Sequence, residues 1–366
     1  FLPSPQMSEY SLSSPASAIA LESPYTKPYH AAELIEPFLS SVKPSEWTTV
    51  CADDELMRRL LACYFLNGYQ WFPMFQKDYF LQDMAAGRHG CCSSLLVNTV
   101  LAMATVIFTH TTQQALCSKT KRCVAADQTL QNRNESAWNP KTLGWQFLAE
   151  AKRLWDIEEA SGRIRLTTIQ ASVLLNLVHI LHAADATGTQ FTRKGVAMAQ
   201  RVGLFNPGNT KQDTKMARAK AFTAWALFNF QAYVLVLQLP VAYRTDTKAQ
   251  DDAYVLHERP QVEQPPSIPL PDPNKDSSWY GQIRLRYPQD QKAYTAHFPL
   301  VFKAMCDVRA IMNSEWIEVF GRQDPKSTIP LDRVHSYYLK LKRWFDNLPT
   351  ELSPENITLP SQLLLQ

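Results

Sequence analysis

Residues 144–205 read GWQFLAEAKRLWDIEEASGRIRLTTIQASVLLNLVHILHAADATGTQFTRKGVAMAQRVGLF. Three amphipathic helices can be read from this stretch with their end signals. Asn139 is placed to cap the first, and Pro140 follows at the first helical position, where no N–H is required. From Leu143 the apolar residues Phe147, Leu148, Ala151, Leu154 and Trp155 recur at threes and fours, opposite Glu150, Lys152, Arg153 and Asp156, until Ser161-Gly162 breaks the pattern. The second helix opens with Thr167-Thr168-Ile169-Gln170, a capping-box spacing. Its broad stripe of Ile169, Val173, Leu174, Leu177, Val178 and Leu181 predicts near-complete burial. The third runs from about Thr189 to Val202 with Phe191, Val196, Ala199 and Val202 inward, and Gly203 stands where a left-handed helix-ending residue is needed. Short connections predict three antiparallel neighbours.

Outward from this unit, Leu2–Tyr29 is rich in Ser, Pro and Ala and too poor in periodic apolar residues to offset the entropy of ordering it, so residues 1–30 read as a disordered linker. A short helix is expected from Ala31 to Leu39. Asp53 or Asp54 can cap another carrying Leu56, Leu60, Leu61, Tyr64 and Phe65, and Asp78 begins one through Met84. Leu95–Phe108, apolar nearly all round, predicts a central buried helix. Thr109–Trp138 shows little periodicity, and its basic cluster Lys119, Lys121 and Arg122 reads as a solvated loop. Lys215–Leu239 reads as one long helix with Phe222, Trp225, Ala226, Phe228, Asn229 and Tyr233 near its core side. The prolines between Pro240 and Asp276 favour an extended course over the surface. Long helices follow at Tyr294–Phe320, with Phe298, Phe302, Met305, Val308, Ile311 and Met312 inward, and from Pro330-Leu331 to Phe345.

Several of these segments resemble the middle homology region of fungal binuclear zinc-cluster transcription factors. The carriers are FLAEAKRLWDIEEASGRIRLTTIQASVLLNLV, GVAMAQRVGLF and AFTAWALFNFQAYV, in order, with YFLNGYQWFPMFQKDYFL upstream and LKRWFDNLPTEL downstream. One signature departs: Gln238-Leu239-Pro240 stands where the family often has Gly-Arg-Pro. The resemblance runs from about Asp53 to the C-terminus. It implies an all-α fold, an irregular bundle of antiparallel helix pairs with long Pro-rich loops, and a helical regulatory domain over residues 31–366. It also implies a nuclear location and control of a metabolic or biosynthetic gene set. The family's zinc cluster, with its six closely spaced cysteines, is not in this chain, so no cofactor and no sequence-specific DNA binding by the chain alone are expected. Other transcriptional regulators or a second copy are the expected partners, with a small-molecule effector as a further possibility.

The chain has 366 residues, 45% of them hydrophobic, and a net charge of +3, so no global field recruits nucleic acid or anionic membrane. With 24 prolines against 11 glycines, helices joined by stiff loops are favoured over hairpin-rich sheets. No run of ~18 charge-free apolar residues suggests a membrane span. A start at Phe1 rather than methionine suggests a fragment, a processed product or an incomplete gene model. The C-terminal Pro360 with Leu363, Leu364 and Leu365 reads as the first turn of a truncated helix, which predicts an uncovered groove near Phe298, Phe302 and Tyr338.

The seven cysteines (Cys51, Cys63, Cys91, Cys92, Cys117, Cys123 and Cys306) are odd in number and scattered, which argues for reduced thiols. His179, His182 and Asp185 share a helix spacing that could hold a metal, but a single face without facing carboxylates is a weak signal, and a structural role is preferred. Asp53-Asp54-Glu55 and Asp251-Asp252 invite comparison with the aspartate motifs of terpenoid cyclases; the companion carboxylates are missing, and a helix cap explains Asp53-Asp54 better. No catalytic residue and no metal ligand is assigned. Trp225, Phe228, Phe298 and Met305 could line a ligand pocket between helices, with plain core packing as the competing explanation. A helical scaffold is the alternative to the regulatory reading.

Overall fold

The run Leu95–Phe108 forms the first half of a helix at the centre of the molecule, and the remaining elements are disposed around it. A computed structural model describes residues 31–118, 140–208, 213–242, 261–288, 290–320, 330–357 and 359–366. In chain order the helices are α1 (Asp54–Asn67), α2 (Lys77–Ala85), α3 (Ser94–Ser118), α4 (Pro140–Ser161), α5 (Leu166–Leu181), α6 (Asp185–Arg201), α7 (Lys215–Ala242), α8 (Ser277–Tyr280), α9 (Phe298–Phe320) and α10 (Leu331–Asp346). Strands β1 (Glu33–Ile35), β2 (Arg284–Tyr287) and β3 (Asp290–Thr295) make one small antiparallel sheet in that order. The architecture is helical, as expected. The linker at 1–30, the basic cluster at 119–122, Asn139 and Asp251-Asp252 lie outside the described residues.

On α3, Leu95, Leu96, Val97, Val100, Leu101, Ala102 and Ala104 are all buried. The helix is enclosed by α1, α4 and α5. Each such Leu or Val contributes about 1.5–3 kcal/mol. On α4 the predicted stripe is inward, with Phe147, Ala151 and Trp155 fully covered and Glu150 and Arg153 paired on the outer face at 2.7 Å. Its main partner is α3; α4 and α5 meet only near their shared turn, whereas α5 and α6 pack closely along their length. The three neighbours read from sequence are therefore one tight pair plus a helix that belongs to α3.

The seam between α5 and α6 is close because Gly188 and Gly195 face it. A Cβ on Gly195 would lie 1.8 Å from Ser172 Oγ and 2.6 Å from Ser172 Cβ. Gly203 takes φ +64° and ends the segment as predicted. Two stripe ends are corrected: Leu181 and Val202 are 44% and 49% exposed, because each falls at the end of its helix, beyond the partner that would cover it.

The capping box is also corrected. The cap position of α5 is Arg165, without a side-chain cap bond. Thr168 instead donates to Glu158 of α4, and Gln170 Nε2 donates to Thr223 Oγ1 of α7 at 2.8 Å. Gln170 is buried, so its amide is worth more as an interhelical tie than as a local cap.

The Ala31–Leu39 helix is replaced by β1 and a 3-10 turn at Pro37–Ser40. Pro37 forces Glu36 out of the α region, to φ −137° and ψ 99°, and the Glu36 side chain caps the turn instead. Tyr294 lies in β3 rather than in the following helix. Arg284, Leu285, Arg286 and Tyr287 alternate out and in, a period-two pattern, and His297 at φ +49° separates strand from helix. On α9 the inward face is Phe298, Phe302, Cys306, Arg309 and Asn313, while Val308, Ile311 and Met312 are only half-buried.

The C-terminal residues form 3-10 turns, of which Pro360–Leu365 docks: Leu352 and Leu365 close a small cluster with Val301, Ala304 and Met305. Phe298 and Phe302 are buried in the main core, so they line no open groove, whereas Tyr338 is 58% exposed.

Asp83 of α2 joins three elements. Oδ1 accepts from Lys215 Nζ at 2.7 Å and Arg88 Nε at 3.1 Å, and Oδ2 accepts from the Cys91 N–H at 2.7 Å. Burial pushes its carboxyl upward, but these donors outweigh it and hold the group below its ordinary value. A carboxyl depressed in the folded state contributes stability above its unfolded pKa and loses it as pH falls through the folded value. Asp83→Asn should therefore cost about 2–4 kcal/mol at neutral pH. The difference from the parent should be constant above pH ~5 and shrink below pH ~4 in urea titrations across that range; a gap that widens in acid contradicts the assignment.

Gly195→Ala should lower unfolding free energy by about 1–3 kcal/mol, with partial recovery in the Gly195→Ala/Ser172→Gly pair. Chemical denaturation of the two variants checks it, and equal losses would show that the α5–α6 seam yields elsewhere.

Candidate functional site

The four positions singled out for a pocket lie on α7 and α9 and are all buried. Trp225 and Phe228 are in edge contact, with centroids 5.9 Å apart, and Trp225 Nε1 donates to the Ile268 carbonyl at 2.7 Å. Phe298, at the first turn of α9, lies 5.5 Å from Tyr69 and 5.9 Å from Phe302. Phe302 stacks on Phe222 at 4.8 Å and so joins the two helices. Met305 sits in the separate small cluster with Leu352 and Leu365. The structure thus brings Trp225 and Phe228 together and places Phe298 and Met305 in two different parts of the core.

Between the same helices lies a polar layer that periodicity did not reveal. Arg309, 4% exposed, donates from Nη1 to the Asn229 carbonyl at 3.1 Å, while Asn229 Oδ1 has no partner among the described residues. Asn313 Nδ2 donates to the Glu263 carbonyl at 2.8 Å, and Gln231 Oε1 accepts from the Val262 N–H at 3.1 Å. These bonds fasten the Pro-rich segment 261–268 to both helices. The available signal was the four–three–four spacing from Phe302 through Cys306 to Arg309 and Asn313, which puts the polar pair on the inward face.

The segment Tyr64–Leu81 builds a ring cluster. Tyr69 is its centre: its hydroxyl donates to the Phe75 carbonyl at 2.7 Å and accepts from the Lys77 N–H at 3.3 Å. Lys77, 2% exposed, is neutralised by Glu36 and by Asp78 at 2.6 Å.

The metal-like and carboxylate motifs have local partners. Nδ1 of His179 and of His182 each lies 2.7 Å from the carbonyl four residues earlier, and the His182 ring packs on Trp145 at 4.3 Å. Asp53 caps α1 by accepting from the Leu56 N–H at 3.0 Å, and Asp54 accepts from the Ser45 N–H at 2.8 Å. Among the described residues no group of three or more potential metal ligands comes together. Burial pushes the Cys91 thiol up to about 11, aided by the Asp83 carboxylate, and also raises Cys92 and Cys306. These thiols are protonated at neutral pH and behave as small apolar side chains. The side chain of Cys117 and all of Cys123 lie outside the described residues.

An outward apolar feature is α10, which has no buried residue. Leu331, Val334, Tyr338 and Phe345 follow a three–four spacing along one side and are 81%, 49%, 58% and 44% exposed. The helix is attached to α9 by Lys340 Nζ on Glu315 at 2.5 Å and by the inward Leu341 and Trp344.

Residues 61–236 match the model of the fungal specific transcription factor domain. The chain is 24% identical over 326 residues to the nitrogen assimilation transcription factor nirA of Emericella nidulans, covering 88% of this chain and 33% of that protein. It is 26% identical over 336 residues to the notoamide biosynthesis transcriptional activator notL' of Aspergillus versicolor, covering 89% and 46%. A third match, to the nitrogen assimilation transcription factor nit-4 of Neurospora crassa, is 25% identical over 338 residues, covering 87% and 27%. The chain spans less than half the length of each of these relatives. No solved structure matches it significantly.

Because the outer side of α10 supports no core, Val334→Ser with Tyr338→Ser should change unfolding free energy by no more than about 0.5 kcal/mol. Binding of a hydrophobic dye should fall in the same variant. A large loss of stability in denaturant titration would show that this side is packed.

Proposed function

We propose, from the fungal specific transcription factor domain that residues 61–236 carry, that this chain is the regulatory region of a transcription factor controlling a metabolic or biosynthetic gene set in the fungal nucleus. The carrying observation is that the matched segment, from inside α1 to inside α7, coincides with the body built around α3. The similarity to regulators of nitrogen assimilation and of a biosynthetic activity points the same way. A non-catalytic role agrees with the use of Asp53, Asp54, His179 and His182 in backbone contacts.

In this reading the chain modulates transcription through partner contacts and not by reading DNA. Partners are other transcriptional regulators or a second copy, and the exposed side of α10 is the surface best suited to meet one. A scaffold that only assembles other proteins is the competing function.

Fusing the chain to a heterologous DNA-binding domain distinguishes the two. Reporter transcription in a fungal host should change several-fold relative to the DNA-binding domain alone, and the sign of the change separates activation from repression. The unfused chain should give no sequence-dependent electrophoretic shift at physiological salt. A reporter level equal to the control would remove the regulatory reading.

A further inference from the structure

A cleft of about 440 Å³ lies outside all the motifs considered so far, between the start of α3 and the last turns of α4. Its volume is that of a small-molecule site, for which ~300–1,000 Å³ is usual. Leu95, Leu154 and Ile157 are its apolar lining. Of the polar lining, Ser161 Oγ donates to the Glu158 carbonyl at 2.7 Å and Arg165 lies 3.7 Å from the Glu158 carboxylate.

Arg163 lines the cleft and forms no ion pair among the described residues. His89 presents its ring edge-on to Trp47 at 4.8 Å, with no hydrogen bond to its nitrogens among the described residues. Ser93 caps α3, its Oγ accepting from the Leu96 N–H at 3.2 Å and its carbonyl from the Val97 N–H at 2.9 Å. The Ser94 and Leu95 N–H groups, in the first turn of a 25-residue helix, are left with no acceptor inside it. Glu158, the carboxylate in the lining, is engaged on its α5 side by Thr168 and by Arg165 at 3.7 Å. The cleft therefore combines a guanidinium without an ion pair among the described residues and the positive end of a long helix with apolar side chains in the same lining.

We propose that this cleft binds a small organic anion, its carboxylate or phosphate held by Arg163 and the first turn of α3 and its apolar body lying on Leu95, Leu154 and Ile157. Arg163 supplies a planar two-donor fork, which suits either acid group. Binding here is independent of what the chain does to transcription.

The test uses calorimetric titration of the 366-residue chain with phenyl phosphate, phenylacetate and the neutral benzyl alcohol. Saturable binding of at least one of the two anions, with none of the alcohol, is expected; the tighter anion identifies the acid group. Arg163→Gln should weaken that binding about tenfold. Arg153→Gln, whose parent residue is already occupied by Glu150 on the outer face of α4, should leave it unchanged. Because Arg163 is exposed and has no ion pair among the described residues, its variant should melt with the parent in the absence of ligand, which separates lost binding from lost folding. No saturation by either anion up to about 10 mM, or an affinity indifferent to Arg163→Gln, would overturn the proposal.

Discussion

A helix that is apolar on every side has one stable place, and the requirement that α3 be enclosed decides where most of the chain goes. Leu96, Val97 and Ala102 point in different directions around the helix, yet all are fully buried. No single neighbour can cover them, so α1, α4 and α5 must each take a sector. The polar residues of α3 fit this enclosure by turning inward on the backbone: Thr99 and Thr105 donate to carbonyls of their own helix, and Asn98 donates to Ser94 while accepting from Thr48. They are buried without disturbing the packing because each hydroxyl or amide is satisfied.

What was legible in the sequence follows from which signals are local. End signals acting through a residue's own backbone, such as Asp53 at the start of α1 and Gly203 after α6, could be read and are where the reading put them. So could the α4 stripe, because apolar spacing alone determines its inward face. Contacts that depend on an element distant in sequence could not. Gln170 looks like a cap until Thr223, 53 residues on, is known to lie beside it. Likewise β1 pairs with a strand some 250 positions later, and nothing near Glu33 announces that partner.

The α7–α9 interface shows why apolar counting misplaced a face. The apolar residues of α9 are spread around much of its circumference, so the hydrophobic pattern does not single out one side. The buried side is the one that carries Arg309 and Asn313, which donate to the Asn229 and Glu263 carbonyls. Leaving such groups buried without acceptors would cost more than half-exposing Val308 and Ile311. Polar satisfaction thus fixes a rotation that hydrophobicity leaves undetermined, and it does so where the Pro-rich segment must also be anchored.

The same distinction separates parts able to respond to a partner from parts that are not. An element can act as a switch only if two arrangements lie within a few kcal/mol of each other. For α3 and its neighbours, any displacement exposes several fully buried side chains at about 1.5–3 kcal/mol each, which places alternatives out of reach. By contrast, α10 has no buried residue of its own and is held through half-buried side chains and Lys340 on Glu315. Displacing it uncovers far less apolar surface than displacing α3, so its position can be biased by a modest differential contact. Any occupant of the cleft at the start of α3 meets a rigid wall and would be read out by stabilisation of the core. A protein seated on α10 would meet the least anchored of the long helices, where binding and movement can be coupled.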